Sequence, residues 1–119
     1  MRAAARDACP REACGILLGE GIRIAAFIAA DNVHPTPESH FEIDPQALID
    51  AHRAARAGGP QVVGYFHSHP TGNARPSATD QASSARDGSI WAIAAGDAMA
   101  FWRDEPSGFA ALSYCEIEA

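Results

Sequence analysis

The hydrophobic positions along this chain change period several times, and those changes predict a series of short elements. Arg2 to Ala8 has helical composition and stops before Pro10. Gly15 to Leu18 and Ile22 to Ala29 are apolar runs of strand length, separated by Gly19-Glu20-Gly21, and together they predict a hairpin. Asn32 to Ser39, with Pro35 and Pro37, is a loop, and Phe41 to Ile43 a short extended piece. Asp44 then caps a helix with Pro45 at its first position. Ala47, Leu48, Ala51, Ala54 and Ala55 share one face of that helix, and Gly58-Gly59-Pro60 ends it.

The second half repeats the alternation. Gln61 to Phe66 is β-rich and leads into His67-Ser68-His69-Pro70. After a loop rich in Gly, Asn and Pro, Ser77 opens a polar helix predicted to run to about Arg86. Ile90 to Ala94, Ala98 to Arg103 and Phe109 to Ile117 are three further extended runs. Interspersed helices and strands predict an α/β or α+β fold, a sheet flanked by helices.

Composition narrows the function. A length of 119 residues allows one hydrophobic core, so a single domain over residues 1–119 is expected. The formal net charge is −6, and the chain has no lysine and nine scattered arginines, which disfavours a nucleic-acid partner. No apolar run approaches the roughly 20 residues that span a bilayer, and the charged N-terminus lacks the apolar centre of a secretory signal. Cytoplasmic residence is the expectation. Cys9, Cys14 and Cys115 are odd in number and form no Cys-x-x-Cys pair, so they predict buried free thiols, not a disulfide framework or a thiolate metal site.

Candidate chemistry concentrates between His67 and Asp80. Alternate residues of a strand point to one face, so His67 and His69 project together, about 6–7 Å apart along the backbone. Asp80 follows in the first turn of the next helix. Two imidazole nitrogens and one carboxylate suit zinc, and three protein ligands leave a fourth position open, as catalytic sites do. Zinc lowers the pKa of bound water to near 7, but the reaction still needs a carboxylate to carry protons. Glu12, Glu20, Glu38 and Glu42 are the candidates. Each residue also has a plainer reading. A His-x-His pair can sit at a strand end without metal, and Asp80 can be only the third-position acid of a capping box begun by Ser77. His34, His40 and His52 have no ligand-spaced partner and read as surface or loop residues.

The order of these residues resembles a known family. His67-Ser68-His69-Pro70, seven residues from His69 to Ser77, and then Ser77-Ala78-Thr79-Asp80 are similar to the His-x-His-x7-Ser-x-x-Asp signature of JAMM (MPN+) metallopeptidases. Pro10 to Gly19 resembles the segment carrying that family's catalytic glutamate, and Phe41 to Pro45 and Val63 to Phe66 match further positions in order. The resemblance implies a three-layer JAB/MPN fold like that of cytidine deaminases, with a mixed central β-sheet between helices. It implies that His67, His69 and Asp80 hold one Zn2+ per chain. Glu12 would move the proton from water to the leaving amine, and Ser77 would hydrogen-bond the oxyanion. The implied activity is a zinc (iso)peptidase that cuts after the Gly-Gly tail of a ubiquitin-like or sulfur-carrier protein. The chain lacks room for the insertions with which larger relatives position ubiquitin, so a small carrier of ubiquitin fold is the expected partner. Two other readings are a non-catalytic interaction module of the same fold and a relative of RadC-type proteins, the latter disfavoured by the acidic charge.

Overall fold

A computed structural model describes residues Met1–Tyr114. The chain starts with α1 (Arg2–Ala8), then forms a hairpin from β1 (Cys14–Glu20) and β2 (Arg23–Ala30). Next come α2 (Pro45–Arg56), β3 (Gln61–Ser68), α3 (Ala78–Ser83), β4 (Ile90–Ala95), β5 (Ala98–Glu105) and β6 (Gly108–Leu112). The six strands form one sheet in the order β2-β1-β3-β4-β5-β6. Only β3 and β4 run parallel, joined through α3; every other neighbouring pair is antiparallel. The sheet is therefore mixed, as expected.

Burial divides the sheet into two faces. Leu17, Phe66, Ala92 and Phe101 pack on one side with Ala4, Ala5 and Ala8 of α1. Cys14, Ile16 and Tyr65 pack on the other with Ala47, Leu48 and Ala51 of α2. Strand alternation explains the split, since neighbouring residues of β1 face opposite ways. The register shifts between Leu17, opposite Gly64, and Leu18, opposite Val62, so Val63 is a bulge residue. Helices on both faces give the three layers. No described helix is long and apolar enough to cross a membrane.

Local chemistry accounts for where the elements stop. The Asp44 side chain accepts from the backbone N–H of Gln46, and Pro45 occupies the first turn where its missing N–H costs nothing. The hairpin turn lies at Gly21-Ile22, where Gly21 takes φ 58°, so β1 runs on to Glu20, past its predicted end at Leu18, and β2 starts at Arg23, one residue later than predicted. In contrast, α3 is shorter: it ends at Ser83, not near Arg86. The Ser83 hydroxyl bonds back to the Thr79 carbonyl at 2.7 Å, a side-chain bond that competes with helix continuation. Asp104 then takes the Arg86 N–H at 2.8 Å, and Arg86 adopts φ 53°. The last predicted strand ends at Leu112, short of the expected Ser113 and Tyr114; the rest of its expected course to Ile117, and Cys115 with it, lie outside the described residues. Cys14 is buried as expected, whereas Cys9 is exposed beyond the end of α1.

Gly64 marks the tightest contact between the two central strands. A β-carbon there would lie 1.9 Å from the Ile90 carbonyl oxygen, a backbone atom that cannot rotate away. Gly64→Ala is expected to destabilise the fold by about 3 kcal/mol or more, the upper part of the overpacking range. Urea unfolding of the purified variant measures it, and a loss under 1 kcal/mol would show that β3 and β4 can part cheaply.

Candidate metal centre

The site forms where β3 leaves the sheet. His67 is the seventh residue of β3 and lies opposite Cys14 of β1, on the face covered by α2. One residue past the strand, the His69 N–H still donates to the Ala94 carbonyl at 2.7 Å, so the extended course continues long enough to turn His69 to the same side. The two Nε2 atoms lie 3.0 Å apart. Asp80 reaches them from the first turn of α3, with Oδ2 at 3.1 Å from each. These three residues are the one such ligand cluster among the described residues.

Asp80 is the capping-box acid that the sequence allowed, and it also has the geometry of the metal-binding reading. Ser77 Oγ accepts from the Asp80 N–H at 3.0 Å, and the Ser77 N–H donates to Asp80 Oδ2 at 2.9 Å. The capping box thus holds the carboxylate in the position from which it faces both imidazoles.

The donor set fits a divalent cation. His69 Nδ1 lies 2.7 Å from the Asn73 carbonyl, which can only accept, so Nδ1 carries the proton and the neutral ring offers its lone pair at Nε2. Three electron-pair donors then converge on one point, where a single proton satisfies at most one pair of them. Ligand atoms about 2.0–2.1 Å from a tetrahedral zinc sit about 3.3 Å from one another, close to the separations found here. The His67 ring is held mainly by packing: it stacks on Phe41 at 4.3 Å and meets the edge of Trp91 at 5.5 Å. Its Nδ1 is buried without a hydrogen-bond partner among the described residues.

Charge follows the same geometry. Burial lowers the pKa of His67 and favours the neutral ring that a metal requires. Burial also pulls His69 down, but hydrogen bonds to Asp80 and Asn73 outweigh it and leave the group above its ordinary value. For Asp80 burial works against ionisation, yet bonds from His67, His69 and the Ser77 backbone hold its carboxyl well below the usual range.

Glu12 is the one buried residue among the four candidate glutamates. It lies two residues before Cys14, so strand alternation turns it toward the His67 face. Burial pushes its carboxyl up to about 7, with His69 opposing the shift and Asp80 adding to it. It remains outside the converging trio. Glu20 is at the far end of β1, paired with Arg23, about 20 Å along the strand from Cys14. Glu38 and Glu42 are exposed in the loop before α2. Ser77 is exposed at the start of α3, and since its oxygen accepts from Asp80, its hydroxyl hydrogen is free to donate elsewhere.

Two positioning residues escaped the sequence reading. Asn32 Nδ2 donates to the Glu12 carbonyl at 3.0 Å and to the His40 carbonyl at 2.9 Å. Its Oδ1 accepts from the N–H groups of His34 and Glu42. Ser68 Oγ accepts from the Ala13 N–H at 2.8 Å, and the Glu12 N–H donates to the Pro37 carbonyl at 2.7 Å. The Glu12 backbone is therefore tied on both sides. Asn32's nearest partner, the His34 N–H, makes the turn any loop asparagine can make, and the bonds that position Glu12 and His40 reach 20 and 8 residues away. His34 and His40 lie in the loop before α2, as expected, and there their rings stack at 4.7 Å, 11° apart. His52 is exposed on the surface of α2, also as expected.

A three-layer α/β fold with three convergent donor groups at a strand end has the make-up of a metal-binding domain. Residues 1–105 match the family described as prokaryotic homologs of the JAB domain, and the chain belongs to that family. It is 32% identical over 90 residues to a desampylase of Haloferax volcanii, a match covering 74% of this chain and 65% of the relative. It is 37% identical over 71 residues to a probable TtuB-protein conjugate cleaving protease of Thermus thermophilus, covering 60% of this chain and 47% of that one. The chain thus matches less than two thirds of the length of either relative. The solution structure of protein DSY2949 from Desulfitobacterium hafniense superposes with a TM-score of 0.80 at 28% identity, covering 92% of this chain and 81% of the other.

Replacing Asn32 by Ala leaves at least two carbonyls and two N–H groups without their partner. A loss of about 2–3 kcal/mol in folding stability is expected from that number of part-buried bonds. Metal content should stay unchanged, since no ligand is touched. Denaturant titration with parallel metal analysis checks both, and loss of metal would place Asn32 in the ligand support.

Proposed function

We propose that this chain is a zinc-dependent isopeptidase that hydrolyses the bond following the C-terminal Gly-Gly of a small ubiquitin-like or sulfur-carrier protein. The observation that carries this reading is the convergence of His67 Nε2, His69 Nε2 and Asp80 Oδ2 within 3.1 Å of one another, beside the buried carboxyl of Glu12. The names of the relatives support the substrate class, since both refer to cleavage of protein conjugates.

His67, His69 and Asp80 would hold the ion, and zinc so bound supplies Lewis acidity and lowers the pKa of water to near neutrality. Glu12 accepts the proton released from the attacking water and delivers it to the departing amine. A carboxyl raised to about 7 is suited to both halves of that transfer at neutral pH. Ser77 donates its free O–H to the oxygen on which negative charge develops, a contact that strengthens in the transition state. The substrate tail arrives as extended backbone, and two glycines allow close approach to the metal without side-chain clashes.

The deciding experiment uses carrier proteins ending in Gly-Gly, joined to a lysine side chain or to free cysteine, and follows their masses before and after treatment. Zinc-dependent release from one adduct is expected, and chelation should abolish it. Glu12→Gln should lower turnover at least 1000-fold while about one zinc per chain remains bound. A zinc-loaded protein that cleaves neither adduct would leave the interaction-module reading standing.

The pH profile carries a further prediction. Glu12 works as a base only when ionised, so turnover is present above its pKa and lost as pH falls through it. Burial raises that pKa from 4.5 toward 7, while a bound dication opposes the shift. The acid limb of kcat is therefore expected to have its midpoint between those two values. A rate flat down to pH 4 would remove Glu12 from the proton path.

A further inference from the structure

Beyond the metal ligands, the α2 face contains a cleft of about 260 Å³. Its aromatic lining is Phe41, Tyr65 and Trp91, and its carboxylates are Glu42, Asp87 and Asp104. Phe41 is shared with the metal centre, since its ring also stacks on His67. The cleft is smaller than the pockets that enclose a whole small molecule, and its size suits one side chain.

Its charge is uncompensated. Asp104 is completely buried, and its Oδ2 accepts from the Arg86 N–H at 2.8 Å, but Oδ1 has no hydrogen-bond partner among the described residues. A buried carboxylate oxygen without a partner is costly and rare. The nearby arginines turn away from it: Arg86 Nη1 donates to the Pro106 carbonyl, and Arg103 Nε to that of Gly88. No described arginine forms an ion pair with Glu42, Asp87 or Asp104. The negative field also reaches Tyr65, whose hydroxyl pKa is raised by burial and, secondarily, by Asp87. The ion-binding alternative fails on geometry, because these carboxylates do not form a convergent ligand cluster.

An unpaired buried carboxylate, two more acids and aromatic faces are the elements that hold an ammonium or guanidinium group. We propose that this cleft binds a lysine or arginine side chain of the substrate, presented a few residues from the scissile bond. The substrate's identity rests on the isopeptidase reading; the cleft itself does not. The cation pairs with the exposed carboxylates of Glu42 and Asp87 and draws on Asp104, whose buried Oδ1 is reached only as the cleft adjusts, while its stem lies against Phe41 and Trp91.

Two measurements on the zinc-loaded full chain test this. The first titrates isotope-labelled protein with acetyl-arginine methylamide and with its neutral citrulline counterpart, following NMR shifts. Arginine should move the Trp91 indole and the Phe41 and Asp87 amides, with citrulline at least 10-fold weaker. Asp104→Asn should remove that preference, and the exposed Glu42→Gln should reduce it about 3-fold even if the first variant folds poorly. The second measures kcat/KM for peptides spanning Gly-Gly and its amide-linked leaving group, with arginine placed in turn on either side of the cut. One position should favour arginine over citrulline about 10-fold, chiefly in KM, and its side identifies whether carrier tail or target supplies the cation. Equal binding of arginine and citrulline would overturn the proposal, as would cleavage without preference at every position. Cleavage of no peptide together with arginine-selective shifts would count against the isopeptidase reading and leave the cleft's assignment standing.

Discussion

The antiparallel pairing of β1 with β3 is the constraint on which the site depends. It sets Cys14 opposite His67, so Glu12, two positions earlier in β1's approach, must lie beside His69, one residue past the end of β3. Side-chain alternation then turns Glu12 and His67 to one face. A one-residue slip would send Glu12 to the α1 side and leave His67, His69 and Asp80 without a carboxyl neighbour. Ser68 guards that register from within the motif, exchanging both a backbone and a side-chain bond with Ala13. The serine between the two histidines thus serves the geometry while they serve the chemistry.

Burial and charge pull in opposite directions at this strand end, and the structure separates their effects by neighbour. Asp80 and Glu12 are both carboxylates with little exposure, yet one is held ionised and the other is pushed toward neutrality. The difference lies in hydrogen bonding. Asp80 faces two imidazoles and the Ser77 N–H, whereas Glu12 has burial as its main influence and His69 as a weaker counterweight. One acid is thereby suited to hold a cation permanently, the other to gain and lose a proton. Divergent environments for neighbouring acids are a recurring means of assigning their roles.

Much of this was legible from the sequence because the informative interactions are local. Pro45 after Asp44, the Ser77-to-Asp80 spacing and the alternation through His67 and His69 each express a rule spanning four residues or fewer, and each element formed where the pattern placed it. The helix after Ser77 was overextended because its end is set partly by Asp104, 18 residues beyond Arg86. Asn32 was missed for the same reason, and so was the stacking of His34 on His40, which the loop between Asn32 and Ile43 brings about by folding back on itself. Choosing Glu12 over Glu20, Glu38 and Glu42 required the family resemblance, because spacing in sequence carries no information about which strand lies next to β3.

The loop that closes over the site joins these levels. Asn32 pins it to the Glu12 carbonyl, the bridge between Asn32 and Ile43 closes its base, and Phe41 projects from it onto the His67 ring. A histidine whose second nitrogen has no hydrogen-bond partner needs another source of orientation, and stacking against a ring 13° from parallel supplies it. The same Phe41 forms one wall of the acidic cleft, so a side chain entering that cleft would press on the ring that orients His67. On the proposed reading, the cleft's occupant and the orientation of His67 share one side chain, and the short segment from Asn32 to Ile43 supplies it.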